Sequence, residues 1–114
     1  MTWDQFHQKV AIALKAPEPK LVHIPSDVLN RLVPQESAIT FYNFQYSNVY
    51  DNSLAKSDLN FKYTIPFIEG VQRTVAWLND KGRIENSDKD PFDDRLIDLW
   101  ENMVNNLEKD YKNS

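Results

Sequence analysis

Leu21-Val22-His23-Ile24-Pro25 is the stretch on which the fold class turns. Apolar residues around a single histidine, closed by a proline, read as a short buried strand. The stretch Tyr46-Ser47-Asn48-Val49-Tyr50 reads as a second one. A helical crossover between them would make the strands parallel and the connection right-handed. The rest of the chain reads as about five helices. The expected fold class is therefore α+β, a small α/β subdomain with two short parallel strands. Residues 1–108 are expected to form one domain and 109–114 a flexible tail.

On the N-terminal side of the first strand lies a helix. Thr2 with Gln5 three residues later is a capping box. Trp3, Phe6, Val10, Ala13 and Leu14 then recur on one face. Ala16-Pro17-Glu18-Pro19 stops it. Beyond the strand, Ser26 caps a short helix through Val28, Leu29 and Leu32, and Pro34 ends it. Ser37 to Tyr50 holds no charged residue and is crowded with aromatics without a clear period, so its first part reads as irregular. Asp51-Asn52-Ser53 opens a short helix from Leu54 to Leu59. A longer helix starts near Pro66, carries Ile68, Val71, Val75 and Leu78 on one stripe, and stops at Gly82. Asp90 and Pro91 open the last helix, with Asp93 and Asp94 at its positive end. Phe92, Leu96, Leu99, Met103 and Leu107 are expected to face its core.

Counting excludes much chemistry. The chain of 114 residues has two glycines, Gly70 and Gly82, which fit neither a three-glycine dinucleotide turn nor a G-x-x-x-x-G-K phosphate loop. It has no cysteine, so thiolate nucleophiles, disulfides and cysteine-ligated metals are out. Its two histidines, His7 and His23, cannot make a three-histidine metal site. Thirteen Lys and Arg against seventeen Asp and Glu give a net charge of −4, the wrong sign for holding nucleic acid through its phosphates. The longest apolar run, Val10-Ala11-Ile12-Ala13-Leu14, is far short of a membrane span. Met1-Thr2-Trp3-Asp4 lacks the basic and apolar regions of a signal peptide. The expected location is cytoplasmic, with neither nucleic acid nor membrane as a partner.

Taken in order, several segments resemble the C-terminal region of the extended short-chain dehydrogenase/reductases, the NAD-dependent epimerase/dehydratase family. Thr2-Trp3-Asp4-Gln5-Phe6-His7 and Glu18-Pro19-Lys20-Leu21-Val22-His23-Ile24-Pro25-Ser26-Asp27 look like that family's substrate-domain helix and strand. Val49-Tyr50-Asp51-Asn52-Ser53 is similar to its strand followed by a D-x-S helix start. Leu59-Asn60-Phe61 sits where sugar-nucleotide epimerases have a leucine, a small residue and an aromatic. Pro66-Phe67-Ile68-Glu69-Gly70-Val71-Gln72-Arg73-Thr74-Val75-Ala76-Trp77 is similar to the family's glycine- and tryptophan-bearing helix. The likeness runs from Thr2 to Trp100.

The resemblance implies the substrate-binding part of an oxidoreductase or isomerase whose NAD(P) is held by a separate N-terminal Rossmann half. The family's catalytic Tyr-x-x-x-Lys is absent: four residues after Tyr42, Tyr46, Tyr50 and Tyr63 stand Tyr46, Tyr50, Leu54 and Phe67. Leu54 also stands where the family has a lysine, and the 37–50 stretch offers no arginine to a diphosphate. No catalytic, cofactor-binding or metal-ligating residue is expected here. The implied ligand is a small molecule such as a nucleotide sugar. The implied protein partner is the missing Rossmann half, or a second copy through an exposed apolar face.

The candidate substrate contacts are His23, Tyr42, Tyr46, Tyr50 and Arg73. Each has an ordinary structural reading beside it. A histidine in an apolar run is most often a core or lining residue. The three tyrosines suit core packing as well as a pocket wall. Arg73 on a long helix suits a solvated face or an ion pair. Asp51 and Ser53 are first of all helix caps. Asp93 and Asp94 are adjacent on a helix and do not face one site, so they are no acid–base pair. A stand-alone binding or interaction module of the same fold is the alternative function.

Overall fold

The computed structural model describes residues 1–114. Thr2 opens the first helix, α1 (Trp3–Leu14): its hydroxyl accepts the Gln5 N–H, and the Gln5 side chain accepts the Thr2 N–H at 3.0 Å. Both orphan donors of the first turn are thereby satisfied. At the other end the Ala16 N–H reaches the Ala11 carbonyl and the Lys15 N–H reaches Ile12. This is a Schellman turn with a lysine, φ 54°, in the left-handed position that glycine usually fills. Pro17 then prevents any continuation.

α2 (Ser26–Leu32) follows, then a π-helix over Thr40–Phe44. α3 (Ser53–Asp58) is one and a half turns long. α4 (Phe67–Asp80) starts directly after Pro66 and is followed by Gly82 at φ 61°. A 3-10 turn at Ser87–Lys89 leads to α5 (Phe92–Asn113), where Asp90 accepts the Phe92 N–H at 3.1 Å. The helix thus runs on into the stretch that composition marks as a tail. No helix is long and apolar enough to cross a membrane.

The expected α+β class is overturned: 62% of residues are helical and none lies in a strand. Leu21–Ile24 and Tyr46–Tyr50 carry neither helix nor ladder. Leu21, Val22 and Ile24 are half-buried as a strand would have them, while Val49 and Tyr50 stand 92% and 83% exposed. A short apolar run reports burial, but pairing depends on a distant partner, and two strands alone are marginal in water. The aromatic block coils instead, closing an i→i−5 bond from Gln45 N–H to the Thr40 carbonyl at 2.8 Å.

The chain divides into two compact units, Met1–Lys81 and Gly82–Ser114. In the first, α1 packs on α4 and α2 on the π-helix. At the α1–α4 contact Phe6 lies edge-on to Phe67 at 5.6 Å, and within α1 it lies edge-on to Trp3 at 5.7 Å. Trp3 in turn meets Phe44 of the π-helix at 5.3 Å. Gln72 donates from its side chain to the Ala13 carbonyl at 3.0 Å, tying α4 to the last turn of α1.

These contacts bury little. Ala13 is the buried hydrophobic residue and Ser37 the buried polar one. The accessible surface is 10115 Å². Even counted as two separate bodies, compact proteins of these lengths would expose about 7,700 Å². The surplus is roughly 2,400 Å², the scale of one side of an obligate interface.

Candidate functional site

The α1–α4 contact leaves a groove. Phe6 and Val10, one turn apart on α1, form one wall, and Phe67 and Val71 of α4 form the other. Ile65 and Pro66 close one end, and Gly70 lies between the walls. The groove is open to solvent, with a volume of ≈ 570 Å³. Its lining holds a single polar side chain, Thr74, and no charged or titratable group. Small-molecule pockets of this size also present several convergent polar groups, which this one lacks. Acid–base chemistry has nothing to work with here. An apolar body from outside the chain is what the groove can accept.

Two smaller clefts lie elsewhere on the surface. One, ≈ 400 Å³, lies beside α1 between Ile12 and Pro19; the other, ≈ 510 Å³, is lined by Ile84, Glu85, Asn86, Lys89 and Asp90. No cluster of three or more His, Cys, Asp or Glu side chains is placed to hold a metal. Nor do the residues present fit a dinucleotide: no strand leads into a helix, and the two glycines lie apart on α4 and just beyond it.

The candidate substrate residues are not gathered around the groove. His23, expected inside a strand, is 72% exposed at its side chain. Its Nε2 sits 3.0 and 3.1 Å from the two carboxylate oxygens of Asp4, in the first turn of α1. That contact is an ion pair when the imidazole is protonated, and it spans 19 residues, beyond the reach of any local pattern. Tyr42 is 75% exposed and stacks edge-on against Phe41 at 5.2 Å. Tyr46 and Tyr50 are 65% and 83% exposed. None of the three is enclosed in a pocket wall or a core. Arg73 pairs with Glu69 one turn earlier on α4. That is the surface ion pair of its ordinary reading.

Two polar features escape sequence reasoning. Ser37 is buried, donating its hydroxyl to the Val33 carbonyl at 2.7 Å with Asn30 Oδ1 at 3.3 Å, and so fastens α2 to the start of the π-helix. Tyr63 bonds Asn52, lies edge-on to Phe61 at 5.2 Å, and carries the Lys56 ammonium 5.8 Å above its ring. The aromatic pair Phe61 and Tyr63, one helix turn of loop from α3, was the available signal.

Asp51 stands just before Asn52, the N-cap residue of α3, and bonds the helix's first residue. Its carboxylate accepts the Ser53 N–H at 2.9 Å. That bond, and then the Ser53 side chain, hold its pKa below the ordinary value, with desolvation opposing weakly. A depressed folded-state pKa means a contribution to α3 that is present above the unfolded carboxylate pKa, about 3.9. It fades as pH falls through the lower folded value. The Ser53 amide resonance is therefore expected to titrate below about pH 4. Asp51→Asn should abolish that titration, and an unchanged profile in the variant would remove Asp51 from that bond.

No protein-family model matches the chain, and neither does any curated protein or any solved structure.

Proposed function

We propose that the chain is the substrate-side part of an NAD-dependent epimerase/dehydratase-like oxidoreductase, acting in the cytoplasm and inert by itself. The α1–α4 groove receives the half that holds NAD(P), and the ligand is a small molecule of the nucleotide-sugar type. The observation that carries this reading is the surplus of roughly 2,400 Å² over what compact bodies of these lengths expose. Large apolar side chains stand on that surface, with Trp3, Ile12, Ile65 and Trp77 each near or above half exposure. Monomers rarely leave contiguous apolar patches of more than a few hundred Å² uncovered.

The resemblance adds support where the family-like segments keep helical form. Thr2–His7 lies at the capped start of α1, Asp51-Asn52-Ser53 starts α3, and Pro66–Trp77 is the body of α4. Leu21–Pro25 and Val49–Tyr50 add none, because the strands their likeness implied are not formed.

Two measurements test the reading together. An apolar fluorescent dye such as anilinonaphthalene sulfonate is expected to bind the folded chain, with far-UV circular dichroism unchanged. Thermal-shift titration with NAD and NADP at millimolar concentration should leave Tm where it was, because ligand that binds only the folded state raises it. A clear shift with either dinucleotide, or nicotinamide-coupled turnover by the chain alone, contradicts the proposal. A dye-silent monomer favours the stand-alone interaction module.

A further inference from the structure

α5 is 22 residues long, about 33 Å at 1.5 Å per residue. Phe92, Leu96, Ile97 and Trp100 are half-buried, whereas every residue from 102 to 114 is exposed. Leu99, Met103 and Leu107, expected to face a core, are 60%, 50% and 67% exposed. Val104 and Tyr111 are 41% and 82% exposed. Nothing local favours helix so far along: Asn102, Asn105 and Asn106 are poor helix formers, and the Lys112–Glu108 pair adds a few tenths of a kcal/mol. A helix of this kind draws its stability from something packed on its apolar face.

The spacing says what that something is. Ile97, Trp100, Val104, Leu107 and Tyr111 alternate three and four residues apart. Over its two heptads this spacing fits the 3.5-residue period of a two-helix seam, whose partner is a helix with the same period. Ile97 and Val104 put β-branched side chains at one seam position, with Leu107 at the other, the combination that favours two parallel strands.

The flanks choose the direction. One edge of the seam carries Glu101 and Glu108, the other Leu96, Met103 and, at the end of the helix, Asp110. An antiparallel pair sets the acidic edge against itself. A parallel pair in register sets Glu108 against the partner's Met103 and brings no like charges together. The area suffices as well. At their exposures, Met103, Val104, Leu107 and Tyr111 hold on the order of 400–550 Å² per copy, so two copies reach the ~1,000 Å² that a specific interface needs.

We propose that α5 pairs with α5 of a second copy of this chain, parallel and in register, along Ile97, Trp100, Val104, Leu107 and Tyr111. This pairing does not depend on the epimerase/dehydratase reading. The helix carries six carboxylates against three basic side chains, so two copies repel and added salt strengthens the dimer.

The chain's lack of cysteine makes a clean test. In the full chain, Leu107→Cys places a thiol on the seam beside its own two-fold mate, and Asn102→Cys places one on the far side of the helix. Under mild oxidation the first is expected to run as a disulfide-linked dimer on a non-reducing gel, with the second at the background of random collision. Sedimentation of the cysteine-free chain should show a monomer–dimer equilibrium that shifts toward dimer from 50 to 500 mM salt. Leu107→Asp should raise its dissociation constant at least tenfold. Equal cross-linking at both positions overturns the proposal. So does a monomer at every concentration, whatever other protein the chain then captures.

Discussion

Replacing Phe6 by alanine is expected to lower the melting temperature of the Met1–Lys81 unit by about 8–20 °C, the shift that ~2–3 kcal/mol produces in a unit of this size. Phe6 is the ring through which α1 meets α4, edge-on to Phe67 and to Trp3 at 5.6 and 5.7 Å. A fully buried phenylalanine loses ~3–5 kcal/mol on truncation, and a half-buried one loses less. The effect is nonetheless large because little else is buried: no large side chain is fully enclosed, and the unit has no deep core to fall back on. Removing Phe6 also takes away the ring that holds Trp3 toward Phe44, so the π-helix should loosen with it. Tyr46→Ala, at a residue 65% exposed, is the control and should stay within ±0.5 kcal/mol. Thermal melts followed by circular dichroism decide the matter. If the Phe6 and Tyr46 variants melt alike, the aromatic contact is not what joins α1 to α4.

What the sequence discloses of this fold is what neighbours in the chain can decide. Thr2 and Gln5 mark the start of α1, Pro66 and Gly82 bracket α4, and Asp90 bonds the first turn of α5, because caps and stops act over three or four residues. The strands fail for the opposite reason. Leu21–Ile24 announces half-burial, which it has, but a ladder requires a second segment whose side chains are also covered, and Val49 and Tyr50 are not. The π-helix is hidden because an uncharged aromatic block has no period to read. The site suffers in the same way. The tyrosines were picked out by composition, and composition does not say which side faces solvent. The contacts that do organise the N-terminal unit, Asp4 with His23 and Gln72 with the Ala13 carbonyl, join residues 19 and 59 positions apart. On α5 the apolar stripe is plain in the sequence, yet its spacing alone does not tell a covered face from an open one.

Gly70→Ala is expected to separate stability from docking. Gly70 lies inside α4 with its N–H on the Pro66 carbonyl at 2.9 Å, a position where glycine is worth about 0.5–1 kcal/mol less than alanine. Within the chain there is room for the change. An added Cβ would meet Ile65 Cγ2 at 3.8 Å, an ordinary contact. The free chain should therefore melt about 2–8 °C higher. Nothing inside the chain requires a glycine at this position, near the end of the first turn of α4. Under the proposed function, the body that approaches is the one that docks on the groove between Phe6, Val71 and Ile65. The same methyl fills part of the groove floor, so the variant should bind the apolar dye more weakly even as it melts later. A mere loosening of the fold would move both readouts the other way, toward a lower Tm and more dye. Should Gly70→Ala raise Tm and leave dye binding untouched, the groove is not where the exposed apolar surface is recognised, and the receiving face has to be sought elsewhere on α4, beginning at Trp77.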